Sequence, residues 1–523
     1  MSTGSEGSLK FADEEKGVTG HTNATSPKVQ IVAADDGVKR DGGILGKMWA
    51  AVLWADSFGV EVRGVERVPE DERHHARPSD AGALWASANM TISTFSLGTL
   101  GNSIWYLELT DACLTILFFN LLCTIPVAIF STWGKSTGLR QMIVGRYSFG
   151  TIGIYIPIIL NCIACIGWSV VNTIVGGQAL AAVSDTHNLP VVAGIVIIAG
   201  VTLFVALFGY KIVHTFERYA SIPVVIIFVI MLGQAAPHVT AAMGPPGAAT
   251  AASVLSFGAT IAGFAFGWTS LASDYTVNLP AETSNTKVFA WTYMGLNLPL
   301  IFVECLGAIM MATFKQKSTW EDAYNSHHLG GLLGAPLVGP MGGFGRFLLV
   351  ILGLSIIANN IPNMYSFALT FQAFGKVAQS IPRMFLVIIG TVIYIGLAIG
   401  GRNSFESVLD TLLVILAYWL IIYSVVLLEE HYIFRKGSFA RGYDLDAYNT
   451  PSKLPIGLAA IGAICFGIAG AVVGMSQTWY VGPIGKMIGP PPFGGDIGFE
   501  LSGGFAAVVY PAFRYLELKY VGR

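Results

Sequence analysis

Apolar runs of roughly 17–25 residues, each long enough to cross about 30 Å of hydrocarbon, recur along almost the whole chain. They fall at about 82–101, 112–134, 151–182, 190–209, 218–236, 252–272, 288–314, 344–374, 384–400, 405–428, 455–475 and 499–515. This pattern predicts an all-α integral membrane protein with twelve transmembrane helices. Residues 1–80 are polar and read as a cytoplasmic tail, aperiodic and largely disordered to about residue 50. No apolar stretch opens the sequence, so no cleavable signal peptide is expected. Residues 57–78, SFGVEVRGVERVPEDERHHARP, are denser in charge and read as a juxtamembrane segment.

Within this pattern, residues 81–428 hold ten spans, 429–454 form a cytoplasmic loop, 455–515 hold two accessory spans, and 516–523 form the C-terminus. A length of 523 residues would suggest several soluble domains, but 53% hydrophobic and 12% charged residues override that prior. Charge then sets the orientation. If the tail is cytoplasmic, every even-numbered loop is cytoplasmic too. Of the 30 basic residues, all but Lys315, Lys317, Arg346, Arg402 and Lys486 then lie on that side. The positive-inside bias predicts such a partition, with both termini cytoplasmic. An odd number of spans would destroy it.

Most spans are plain Leu/Ile/Val/Ala/Gly helices; a few are not. The first, LWASANMTISTFSLGTLG (84–101), is crowded with Ser, Thr and Gly and contains Asn89. The sixth, GATIAGFAFGWTSLASDYT (258–276), is interrupted by Gly258, Gly263 and Gly267, followed by Trp268. Glycine-interrupted segments at matching positions of two halves point to unwound helices at a midplane transport site. The halves would be inverted repeats, 81–236 and 252–428. In the third span, Asn161, Trp168 and Asn172 share one helix face at helical spacing. In the eighth, Asn359, Asn360, Pro362 and Asn363 interrupt an apolar run.

Carboxamides at that depth are costly unless hydrogen-bonded. Interhelical bonding is the structural explanation for a lone Asn, and interfacial anchoring for a lone Trp. Trp168 and Trp268, however, sit well inside their spans. Two indoles that face each other make a slot for a flat heterocycle, and stacking contributes about 1–3 kcal/mol whichever base is bound. Amides then pair with the donor and acceptor atoms of its edge. Asn359 and Asn360 lie about 100° apart around a helix, so one is expected to face the ligand and the other a neighbouring helix.

The motifs WASAN, GWSVVN, GFAFGWTSLASDYT and ANNIPNMYSFAL, with the segment before the first span, resemble the fungal purine-cytosine permeases of the nucleobase–cation symporter family. The resemblance covers roughly residues 50–515. It implies a LeuT-like five-plus-five inverted repeat with two extra C-terminal helices. It also implies a plasma-membrane symporter, not an enzyme, importing cytosine and purines such as adenine, guanine and hypoxanthine with protons. By motif, Trp168 and Trp268 would sandwich the base, with Asn172, Asn359 and Asn360 as polar contacts beside Pro362. Gly267, Pro362 and Asn363 take structural or gating roles. Ser93 best matches the polar contact of the first span, with Ser87, Asn89 and Ser96 as alternatives. Sodium-driven relatives hold their ion with span-one and span-eight carbonyls and span-eight hydroxyls. Here Ser355 has no adjacent threonine, so H+ is expected over Na+, with no cofactor. Span ten, with Tyr418, Trp419 and Tyr423, would be the outer gate.

Glu304, the one acidic residue deep in span seven, is a coupling candidate by default; a protonated acid bonded between helices is the plain alternative. Asp274 serves a cytoplasmic gate or caps a helix. The stretch LRQMIVGRYSFG (139–150) reads as an interfacial helix or a loop. Cys162 and Cys165 form a lone CxxC that reads as helix packing. Lys10, Lys16 and Lys28 are candidate ubiquitin acceptors for turnover, and the sequon at Asn23 is unusable in a cytoplasmic tail. Neither a nucleic-acid-binding pattern nor a hydrolase motif stands out. The alternatives are a permease for uracil, allantoin, thiamine or pyridoxine, or a nucleobase sensor that does not transport. The sequence leaves the oligomeric state open.

Overall fold

The computed structural model describes Met48 and residues 64–73, 77–184, 189–207 and 210–523, the side chains of 210–220 excepted. The tail to residue 47, with Lys10, Lys16, Lys28 and Asn23, lies outside the described residues.

The first apolar run is two helices. α1 (Pro78–Asn89) opens with Pro78 and with Asp80 accepting the Arg77 backbone N–H at 2.9 Å, a start that satisfies orphan helix-end donors. It ends before Met90 and Thr91; Thr91 is extended (φ −141°, ψ 164°), and α2 (Ile92–Ser103) restarts the helix. α3 (Leu109–Thr137), α4 (Gln141–Gly153), α5 (Tyr155–Ala181), α6 (Val191–Leu207) and α7 (Tyr210–Ala235) follow. α8 (Ala248–Gly267) stops at its last glycine and continues as two short 3-10 turns, Trp268–Ser270 and Ala272–Tyr275. Then come α9 (Asn285–Ala312), α10 (Ser318–Gln372), α11 (Arg383–Gly401), α12 (Phe405–Glu429), α13 (Leu458–Gly474) and α14 (Gly498–Val521). α10 is divided by non-helical residues at His327, His328 and Gly342, so its last segment begins where the apolar run 344–374 begins. Pro362 stays within its last segment.

Eight helices among the described residues are long and apolar enough to cross a membrane. α6 and α13 are shorter apolar helices, and α14 is diluted by Glu500, Arg514, Glu517 and Lys519. Two groups of helices pack against each other. α1, α2, α3, α8 and α9 form one; α5, α6, α10 and α11 form the other. In the first group small residues bring backbones together: a Cβ on Gly98 would strike the Glu304 carbonyl, and one on Gly307 the Phe95 carbonyl. Such small-residue contacts are how helices associate in lipid, where hydrocarbon gives no hydrophobic gain. α12 lies along α8, and α13 and α14 pair with each other against it.

The 139–150 stretch is not interfacial. α4 is buried from Gln141 to Gly150, because its basic residues have partners inside the protein. Arg146 donates to the Ala373 carbonyl at 2.7 Å, and Arg140 to the Asp274 carbonyl at 2.6 Å. Both ends of α12's inner half are also tied. Below it, Glu430 receives Arg514 (Nε 2.9 Å, Nη2 3.1 Å), Arg435 Nε (2.8 Å) and the Tyr510 hydroxyl (2.9 Å). Arg514 also reaches Glu517, whose other oxygen caps the start of α13 at Gly457 and Leu458.

A buried charge whose partner is removed is left uncompensated. Arg514→Met is therefore expected to destabilise the protein by about 3 kcal/mol, read as a lowered melting temperature in detergent, with Arg514→Lys recovering only part.

Candidate functional site

The break after Gly267 turns the Trp268 side chain toward α5, and the helical face of α5 turns Trp168 toward α8. Both line one narrow pocket with Asn161, Ala164, Cys165, Phe264, Leu271 and Asn363. The two indoles do not face each other directly. Phe264 stands between them, 4.9 Å from Trp168 at 57° and 6.3 Å from Trp268 at 65°. It precedes Trp268 by four residues, one helical turn, and nothing else in the sequence marks it. Gly267 is the floor beside Trp168: a Cβ there would sit 3.6 Å from the indole nitrogen. The pocket is thus a slot with three aromatic walls and a glycine opening.

Two carboxamides border it. Asn161 lines the pocket and donates its Nδ2 to Thr370 Oγ1 at 2.8 Å. Asn363 makes only a long 3.4 Å contact to Asn359 Oδ1. The other expected amides lie one layer away. Asn172 Nδ2 donates to Asn359 Oδ1 and Asn360 Oδ1, both at 2.8 Å, and its own Oδ1 accepts the Ser93 hydroxyl. Asn359 Nδ2 reaches the Ala88 carbonyl at the end of α1, 2.6 Å away. Ser93, Asn172, Asn359 and Asn360 thus form a knot joining three helices, and none of them lines the pocket. The difference from expectation is physical: fully buried amides satisfied one another first. Within the knot, Asn360 Nδ2 has no partner. The expected division, one amide toward a ligand and the other toward a neighbouring helix, is not seen: both Asn359 and Asn360 bond Asn172 of α5, and neither lines the pocket.

A family described as permeases for cytosine/purines, uracil, thiamine and allantoin matches residues 67–490. The chain belongs to this permease family. It is 45% identical to the purine-cytosine permease fcyB of Emericella nidulans over 90% of this chain and 91% of that one. With the purine-cytosine permease FCY2 of Saccharomyces cerevisiae the identity is 40%, covering 89% and 88%. Its fold is that of Mhp1, a nucleobase-cation-symport-1 family transporter solved in a closed conformation with bromovinylhydantoin bound. The TM-score is 0.64 at 16% identity, over 88% of this chain and 95% of that one. The chain is a multi-pass helical membrane transporter.

Above the transporter's pocket lies the first part of α12. Leu412 presses within 2.9 Å of where a Cβ on Gly167 would stand, and a Cβ on Gly263 would collide with the Leu413 carbonyl. The leucines do not line the slot; they pack at Gly167 and Gly263, each one residue before an aromatic wall, Trp168 or Phe264. Tyr418 instead bonds Asp496 at 2.5 Å and Tyr423 receives Gln141 Nε2 at 3.3 Å, both away from it. At the opposite end, Asp274 Oδ1 caps α4 through the Gln141 N–H at 2.7 Å, while Arg140 reaches Tyr365 Oη at 3.1 Å. So Asp274 caps a helix and thereby ties the α8 extension to α4.

Glu304 is fully buried, and its Oε2 accepts Asn120 Nδ2 from α3 at 2.6 Å. Glu304 Oε1 and Asn120 Oδ1 have no partner. Asn120 gave no sign in the sequence beyond being polar in mid-span. Two turns before Glu304 on α9, Asn297 donates to Thr124 Oγ1, one turn after Asn120 on α3, at 2.7 Å. The α3–α9 seam is therefore a polar line inside an apolar bundle.

Gly263→Ala is expected to wedge α12 off α8. Leu412→Cys placed in that background should react with a membrane-impermeant maleimide several-fold faster than in the parent, measured by mass shift.

Proposed function

We propose that the protein is a proton-coupled symporter of the plasma membrane, with twelve spans and both termini in the cytoplasm. It imports cytosine and the purines adenine, guanine and hypoxanthine by alternating access. The observation that carries this reading is the aromatic slot of Trp168, Phe264 and Trp268 with two carboxamides at its rim. A flat base stacks on such walls at about 1–3 kcal/mol per contact. The exocyclic amine of cytosine or adenine donates two N–H groups, and the carbonyl oxygens of Asn161 and Asn363 accept them. Ser93, Asn172, Asn359 and Asn360 hold α2, α5 and α10 in register behind the slot.

The helical arrangement supports two five-helix repeats, α1/α2 to α7 and α8 to α12, with α13 and α14 accessory. One half-bundle (α1, α2, α3, α8, α9) rocks against the other (α5, α6, α10, α11). The α12 leucines part to admit the base from outside. The links of Arg140, Gln141 and Asp274 part to release it inside. Protons rather than sodium drive the cycle in this reading, because Ser355, which donates to the Leu352 carbonyl of its own helix, has no threonine hydroxyl beside it to complete a cation site.

A proton on Glu304 supplies the donor that its Oε1 and Asn120 Oδ1 both lack. Uptake is then expected to rise as external pH falls, and Glu304→Gln, which carries a permanent N–H donor, should uncouple accumulation from pH. Labelled cytosine uptake at two external pH values, with and without a protonophore, measures it; unchanged pH dependence in Glu304→Gln removes Glu304 from the mechanism.

For the slot itself, Gly267→Leu should fill it and abolish uptake with normal surface expression. Asn360→Ala should do the same indirectly, by loosening the amide knot that holds α5 and α10 in register behind the slot. Competition by unlabelled uracil, allantoin, thiamine and pyridoxine distinguishes the related substrates, and binding without accumulation would mark a sensor.

A further inference from the structure

Trp268 is not held by packing alone. Its Nε1–H donates to Asn89 Oδ1 at 3.1 Å. Asn89 is fully buried at the last position of α1, and its Nδ2 donates back to the Trp85 carbonyl at 2.8 Å. The carboxamide is thus fixed by its own helix at one end and grips the indole at the other. Trp85 stands edge-on to the Trp268 ring, at 5.2 Å and 66°, and is itself met edge-on by Tyr275 at 5.6 Å. Phe264 and the pocket take the remaining side of the ring.

The outer torsion of a tryptophan side chain is broad, with no sharp staggered minimum. Because Nε1 lies off the Cβ–Cγ axis, a hydrogen bond there fixes that torsion and so fixes the plane of the ring. We infer that Asn89 is a positioning residue for the transported base: it sets the plane of Trp268 and does not touch the substrate. This rests on the base-stacking reading above. One consequence is chemical. Trp268's single donor is consumed by Asn89, so the indole offers a ligand only its face, and the polar edge of the base is left to the rim amides. A second is structural. The residue before Asn89 is Ala88, whose carbonyl holds Asn359. Two adjacent residues at the end of α1 therefore fix both the stacking ring and the amide knot.

The test removes the N–H and keeps the ring. Full-length transporter is expressed in cells lacking their own cytosine uptake, with β-(3-benzothienyl)alanine incorporated at position 268. KM for labelled cytosine should rise about 5- to 10-fold, the size expected for one lost buried hydrogen bond, with Vmax per surface molecule changed less than about two-fold. Asn89→Leu should raise KM by a similar factor in the parent and by less than about two-fold in the benzothienyl background. An unchanged KM with the sulfur analogue overturns the inference. So does an equal effect of Asn89→Leu in both backgrounds, which is what a purely structural role would give. If Asn89→Leu does not reach the surface, the sulfur analogue alone decides. Trp268→Leu is the separate control: if it leaves KM unchanged, the base-stacking reading fails, and not merely the role of Asn89.

Discussion

A carboxamide buried among hydrocarbon side chains has to find a partner for its donor and acceptor atoms, or the helix carrying it is penalised. Around the centre of this transporter that requirement decides how the helices meet. Asn172 satisfies two amides of α10 and one hydroxyl of α2, Asn359 takes a carbonyl released where α1 ends, and Asn89 takes the indole N–H of Trp268. Unwound helix ends and buried amides are complementary. The break supplies free backbone acceptors, and the amides supply donors of the right reach. Neither feature is tolerable in the bilayer interior without the other.

The aromatic slot is built around this polar centre. Its walls come from α5 and α8, which belong to different helical groups, so relative movement of the groups changes the distance between Trp168 and Trp268. That makes the site sensitive to the conformational state. On the side of the slot nearest α4, Asp274 caps α4, and Tyr275 in the same turn donates to the Pro362 carbonyl at 3.3 Å. One short 3-10 turn after Trp268 therefore links the slot to both the α4 start and the α10 amides.

Span lengths and the breaks in the first and sixth apolar runs were legible in the sequence, because apolar length and glycine placement act locally. Trp168 and Trp268 were legible as a pair of walls, and they share one pocket with Gly267 and Asn363, which were expected in structural or gating roles. The facing-indole geometry was not, because Phe264 is indistinguishable from any phenylalanine of an apolar helix until α5 is packed beside it. The position of Ser93, Asn172, Asn359 and Asn360 behind the slot was illegible for a related reason. Sequence spacing gives the side of a helix on which an amide lies, but which amides pair depends on residues far away in the chain: Asn172 and Asn360 are 188 residues apart. Asn120 with Glu304, and Leu412 with Gly167, are likewise meetings of distant segments.

The anchoring of α12 has its own consequence. Its lower end is bolted to α14 through Glu430 and Arg514, and its middle is tied through Tyr418 to Asp496, which also receives the Ser476 N–H at 2.8 Å and, through its own N–H, holds Ser256 of α8 at 3.0 Å. Ser502 of α14 bonds the Tyr418 carbonyl at 2.9 Å. The remaining three turns or so, back to Phe405, carry Leu412 and Leu413 and are held more lightly, by Thr260 of α8 on Asp410 at 3.0 Å and by Tyr324 of α10 on Glu406. The accessory pair thus acts as a vice on the root of the beam, while single side-chain pins steady its tip.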